Sequence, residues 1–72
     1  MMKKQIEVGN EYLNLNGGTL YKITHKYVNS GEWVAEVWNP IETDNDDDFE
    51  FEYHCDTILT EHEINNINMI EW

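Results

Sequence analysis

Asn16-Gly17-Gly18-Thr19, then Leu20-Tyr21-Lys22-Ile23-Thr24-His25-Lys26-Tyr27-Val28, then Asn29-Ser30-Gly31, then Glu32-Trp33-Val34-Ala35-Glu36-Val37-Trp38 is the stretch that decides the fold. Two runs alternate with a period of two, rich in β-branched and aromatic residues, and each follows a turn signal. Asn and Gly tolerate the positive φ that tight hairpin turns demand. The reading is two hairpin-linked strands over residues 20–28 and 32–38. In the first, Tyr21, Ile23, His25 and Tyr27 share a side. In the second, Trp33, Ala35 and Val37 share one side, while Glu32, Val34, Glu36 and Trp38 take the other. Asn39-Pro40 is expected to stop the second strand, because proline removes a ladder donor.

Working outward, residues 11–15 form an earlier strand that runs into the Asn-Gly-Gly turn. Downstream, Phe49, Phe51 and Tyr53 alternate with Glu50, Glu52 and His54, the pattern of a half-buried strand. Thr60-Glu61-His62-Glu63 matches a capping box, which opens one helical turn to about residue 66. Residues 67–72 read as a last edge strand. The expectation is a single all-β domain over residues 1–72. Its best architecture is a small five-stranded SH3-like barrel with one short helical turn, and an OB-like barrel is the alternative. No internal repeat is present.

The segments Val8-Gly9-Asn10-Glu11-Tyr12 and Asn16-Gly17-Gly18-Thr19-Leu20-Tyr21-Lys22-Ile23 resemble the opening of many small SH3-like proteins of phage and prophage origin. Those proteins share no catalytic residues, so the resemblance implies a fold and a source, and no chemistry.

Charge bounds the function. The chain has 15 acidic and 4 basic residues, a formal charge of -11 over 72 residues. Glu42, Asp44, Asp46, Asp47, Asp48, Glu50, Glu52 and Asp56 follow one another with no Lys or Arg between them. Such self-repulsion opposes a compact state, although it favours solubility. It also excludes direct nucleic-acid binding, which draws its affinity from Lys and Arg on phosphates, and binding to anionic membrane surfaces. Basic proteins remain as partners.

Length permits one small core. Disulfides cannot reinforce it, since Cys55 is the single cysteine; a lone thiol fits a reducing cytoplasm. No stretch is apolar enough to span a membrane, and the Met1-to-Glu7 start lacks the apolar segment of a signal peptide. Nine asparagines and abundant isoleucine suit an A/T-rich genome such as that of many phages.

The acidic run has two readings. In one it mimics phosphates: Asp44, Asp46, Asp47, Asp48, Glu50 and Glu52 enter a Lys/Arg groove of a nucleic-acid-binding enzyme. Carboxylates on one strand face repeat every ~6.5–7 Å, close to the spacing of phosphates along a DNA strand. Glu32 and Glu36 extend that surface if their strand is a neighbour. In the plainer reading the acids solvate a loop at residues 42–48 and protect an edge. Trp38 lies out of phase with the core side of its strand, so one of Trp33 and Trp38 is exposed or closes a barrel end, and Trp38 beside carboxylates is a candidate hot spot. The other rings (Trp33, Tyr21, Tyr27, Phe51, Tyr53) are needed mainly for the core, although they suffice for a cation cage.

Metal readings fail on spacing. Asp44, Asp46 and Asp48 match the first ligands of a calcium loop, but Phe49 stands where glycine is required and Cys55 where glutamate is. His54, Cys55 and His62 need Asp56 or His25 as a fourth zinc ligand and match no known ligand spacing. No nucleophile–base set has a recognisable arrangement, so no enzyme, cofactor or metal is expected. The expected function is a small acidic inhibitor or adaptor in the cytoplasm that binds a basic protein, as monomer or homodimer. The alternative is an SH3-like module that binds a peptide or assembly partner through an aromatic groove.

Overall fold

The computed structural model describes residues 6–27, 31–42 and 50–72. Five strands and one short helix follow in the order β1 (Glu11–Asn14), β2 (Leu20–Lys26), β3 (Glu32–Ile41), β4 (Glu50–Thr60), α1 (Glu61–Ile64) and β5 (Met69–Glu71). All pairings are antiparallel, in the spatial order β4-β3-β2-β1-β5. The all-β expectation with one helical turn is met. The strands form one sheet whose edges are β4 and β5.

The turn chemistry acts as expected between β1 and β2. Gly17 and Gly18 adopt φ of 116° and 75°, where a Cβ is strained. Asn14 closes the turn by accepting from Gly18 N (2.9 Å) on its backbone and from Asn16 N (2.9 Å) on its side chain. The capping box also forms: the Thr60 hydroxyl accepts from Glu63 N at 3.2 Å, and Glu63 Oε1 faces Thr60 N at 3.4 Å. The helix is one turn long, with Asn65 as its C-cap. Asn66 then turns the chain into β5, accepting from Met69 N.

Three expectations about the strands are corrected. Pro40 does not stop β3, which continues to Ile41 against β4. Ladder alternation turns residue 40 toward the β2 side, and β2 begins opposite Trp38, so no strand acceptor lacks a donor there. Second, β4 runs on to Thr60 instead of ending near His54. Third, bulges change the phase. The β2–β3 register shifts between Ile23 and His25, and the β3–β4 register shifts where Val37 pairs with Cys55 but Trp38 with Tyr53. Thr24 and His54 are the extra residues. His25 therefore does not share a face with Tyr21 and Ile23.

One face of the sheet carries the core. Tyr12, Ile23, Ala35, Leu59, Ile64 and Met69 are buried together, with Ile6, Tyr21 and Trp33 packed against them. The helix closes this face through Ile64, which is fully buried. The expectation that most rings fill the core fails: Tyr12, Tyr21 and Trp33 reach it, while Tyr27, Tyr53 and Trp72 are exposed.

The opposite face has its own apolar row. Register aligns Tyr53, Trp38, Leu20, Leu13 and Ile70 across all five strands. Leu20 is only 3% exposed although it faces away from the main core. On this face the Phe51 and Trp72 rings meet edge to face at 6.0 Å. They come from β4 and from the end of β5, which lie about 19 Å apart in a flat sheet of this order. Side chains stand off a sheet, so the contact requires curling toward this face.

Candidate acidic and aromatic face

The sequence pattern places Glu32, Glu36 and Trp38 on one side of β3, and the ladder adds their neighbours. Glu36 lies opposite Lys22 on β2 and Asp56 on β4, and Lys22 lies opposite Glu11 on β1. A charged row, Asp56-Glu36-Lys22-Glu11, thus runs beside the apolar row Tyr53-Trp38-Leu20-Leu13. Neighbouring strands are ~4.8 Å apart, so the row is dense in charge.

Trp38 sits at the junction of the two rows. Its Nε1–H donates to Glu36 Oε1 at 3.4 Å, and its ring meets Tyr53 edge to face at 5.7 Å. Lys22 Nζ lies 4.5 Å from the Trp38 ring centroid and 3.6 Å from Glu11 Oε1. An aromatic face attracts a cation through its quadrupole. The Lys22 ammonium thus lies between a ring and a carboxylate of its own chain. The Tyr53 hydroxyl donates to Asp56 Oδ1 at 2.9 Å. That hydrogen bond, followed by desolvation and the charges of Asp56, Glu36 and Cys55, raises the Tyr53 pKa above its ordinary 10.0.

Trp33 and Trp38 are both half-buried, on opposite faces: Trp33 packs on the core and Trp38 forms the junction just described. Glu32 is half-buried on the same side as Glu36 and opposite Thr60. Glu50 and Glu52 are exposed, and β4 is indeed the neighbour of β3. They do not join the surface of Glu32 and Glu36, however. Glu52 pairs with Asn39 and Glu50 with Ile41, which places both on the opposite side from Trp38. The bulge at His54 causes this, by reversing the phase of β4 between Asp56 and Glu52. Asp44, Asp46, Asp47 and Asp48 lie outside the described residues.

Sequence reasoning missed Glu11, Lys22 and Asp56 as members of one row. Only cross-strand register brings them together, and register depends on two bulges. Cys55 is exposed. Among the described residues no three His, Cys, Asp or Glu side chains come together as a metal site. No helix among them is long and apolar enough to cross a membrane. A polar cleft of about 200 Å³ lies on the other side, between Tyr21 and Glu63 and rimmed by Asn14 and Asn66. Its polar groups serve the chain itself: Asn14 and Asn66 accept from Asn16 N and Asn68 N, and Glu63 belongs to the capping box.

No protein-family model, curated protein or solved structure matches this chain.

Proposed function

We propose that this protein is a non-enzymatic, phage-type inhibitor or adaptor that binds a basic surface of a host or defence protein, a nucleic-acid-binding enzyme, in the cytoplasm. The carrying observation is the row Glu11, Glu36 and Asp56 beside Trp38 and Tyr53, with Lys22 already seated between ring and carboxylate. A guanidinium or ammonium of a partner finds the same chemistry beside Glu36 and Asp56. The acidic segment contributes a second surface: Glu42, Glu50 and Glu52 flank Asp44, Asp46, Asp47 and Asp48 in the chain. Together they replace phosphates in the partner's groove, while Trp38 supplies an apolar anchor. Binding of this kind associates fast and weakens as salt screens it.

The test is affinity capture at low and high salt, beside a variant with Asp44, Asp46, Asp47, Asp48, Glu50 and Glu52 neutralised and one with Glu36→Gln and Asp56→Asn. A nucleic-acid-binding enzyme held at low salt and lost from the variants supports the reading. A partner held equally by all three proteins contradicts it. Such a result favours a second reading, an SH3-like module gripping a peptide on its rings, for which the Trp38–Tyr53 pair is the supporting observation.

A further inference from the structure

The backbone of β4 bears on how a partner is held. Among the described residues its one strand neighbour is β3, and it is an edge of the sheet over 11 residues. Glu61 N donates to Gly31 O at 2.8 Å, which makes Gly31 and Glu61 a hydrogen-bonded pair. Tyr27 N donates to Glu32 O at 3.1 Å, which turns Glu32 toward β2. Alternation in an antiparallel ladder then assigns the rest. Trp33–Leu59, Ala35–Thr57 and Val37–Cys55 bond across β3 and β4, so the N–H and C=O of Ile58 and Asp56 point away from β3. Past the His54 bulge the bonding pairs are Asn39–Glu52 and Ile41–Glu50, so Tyr53 and Phe51 also point outward.

These four residues share one face with Trp38 and Glu36. Tyr53 is 50% exposed and Ile58 is 41% exposed. A strand laid on this edge would place a side chain beside Asp56, with Glu36 one strand further in and the Tyr53 ring next along. That position accepts lysine or arginine. The other edge, β5, is only three residues long.

We infer that β4 is a docking edge that captures an extended, lysine- or arginine-bearing segment of another protein as a sixth strand. The inference rests on the functional reading above and specifies its mode of contact. A second copy of this chain is the wrong occupant. Antiparallel pairing of two β4 edges lays two strands side by side that each carry Glu50, Glu52 and Asp56 and no Lys or Arg, and like charges on neighbouring strands destabilise the ladder. Edge carboxylates of this kind serve as guards against self-pairing, and the same charges select a basic strand.

The experiment follows backbone amide exchange of the full chain by NMR. The probes are a ten-residue peptide alternating lysine and threonine, its analogue N-methylated at every second amide, and a glutamate–threonine peptide. The lysine peptide is expected to slow exchange at Phe51, Tyr53, Asp56 and Ile58 by about tenfold or more, since edge amides that gain a partner become protected. N-methylation and Ile58→Pro should each weaken its binding by about tenfold, because each removes a bond on the docking side alone. Unchanged protection of the β3-facing amides shows that Ile58→Pro is folded. Equal binding after N-methylation, absence of protection, or equal protection by the glutamate peptide would overturn the inference. So would protection that rises with protein concentration and no peptide, the mark of self-pairing. Salt-sensitive capture of a basic protein that survives Ile58→Pro overturns strand docking and leaves the functional reading intact. Loss of all salt-sensitive capture by the parent protein removes the functional reading itself.

Discussion

Replacing Ile64 by alanine should separate the core face from the binding face. Ile64 is fully buried and is the one side chain by which α1 joins Tyr12, Ile23, Leu59 and Met69. The change deletes three carbons, worth about 2.4 kcal/mol at ~0.8 kcal/mol per buried methylene. The cavity left behind raises this to about 3–4 kcal/mol, within the usual range for such truncations. A chain of 72 residues has a total stability of about 4–11 kcal/mol. Ile64→Ala therefore removes roughly a quarter of it or more, and the melting temperature should fall by roughly 12–30 °C. Ile67 is the control: three residues later and 91% exposed, its alanine variant should change stability by less than about 0.5 kcal/mol. Urea denaturation followed by far-UV circular dichroism and by tryptophan fluorescence measures both. If Ile64→Ala is unfolded outright, Ile64→Val gives a readable loss of about 0.5–1.5 kcal/mol. Equal losses at positions 64 and 67 would refute the assignment of the core.

Three further outcomes follow from the geometry. Tyr53 should ionise above the ordinary tyrosine range, and Asp56→Asn should bring it back toward 10.0, as read by ultraviolet titration against a Tyr53→Phe reference. Because the folded state favours the protonated phenol, its contribution to stability is present below pH 10 and lost as pH rises through the raised value. Thr60→Ala removes the hydroxyl that caps α1 and should cost about 1 kcal/mol in urea denaturation. A double-mutant cycle on Trp38 and Tyr53 should give a coupling of about 0.5–1.5 kcal/mol, whereas Trp38→Ala should weaken partner binding by about 2 kcal/mol or more in calorimetry.

Local chemistry was legible in the sequence wherever one residue type serves one backbone need. Asn-Gly-Gly marked the β1–β2 turn because residues 17 and 18 need positive φ, and Thr60 with Glu63 marked the helix start because each satisfies the other's backbone. What could not be read depends on partners distant in the chain. Pro40 looks like a strand end, but it is harmless where β2 has not yet begun. Thr24 and His54 look like ordinary strand residues, yet as bulges they decide which face receives His25, Glu50 and Glu52. Leu20 falls out of phase with the core and is still buried, on a face that the alternating pattern alone assigns to solvent. The separation of Glu50 and Glu52 from Glu36 follows from one extra residue in β4, for which the alternating pattern gives no sign.

If this acidic chain takes the place of nucleic acid on a basic partner, it must displace nucleic acid from that partner. The most direct measurement is the fluorescence anisotropy of labelled duplex DNA bound to the captured partner, as the protein is added at fixed low salt. Displacement predicts a fall to the value of free DNA, with Glu36→Gln/Asp56→Asn and the neutralised 44–52 variant both needing higher concentrations. Anisotropy that stays constant or rises, meaning that DNA and this protein bind the partner together, would contradict it.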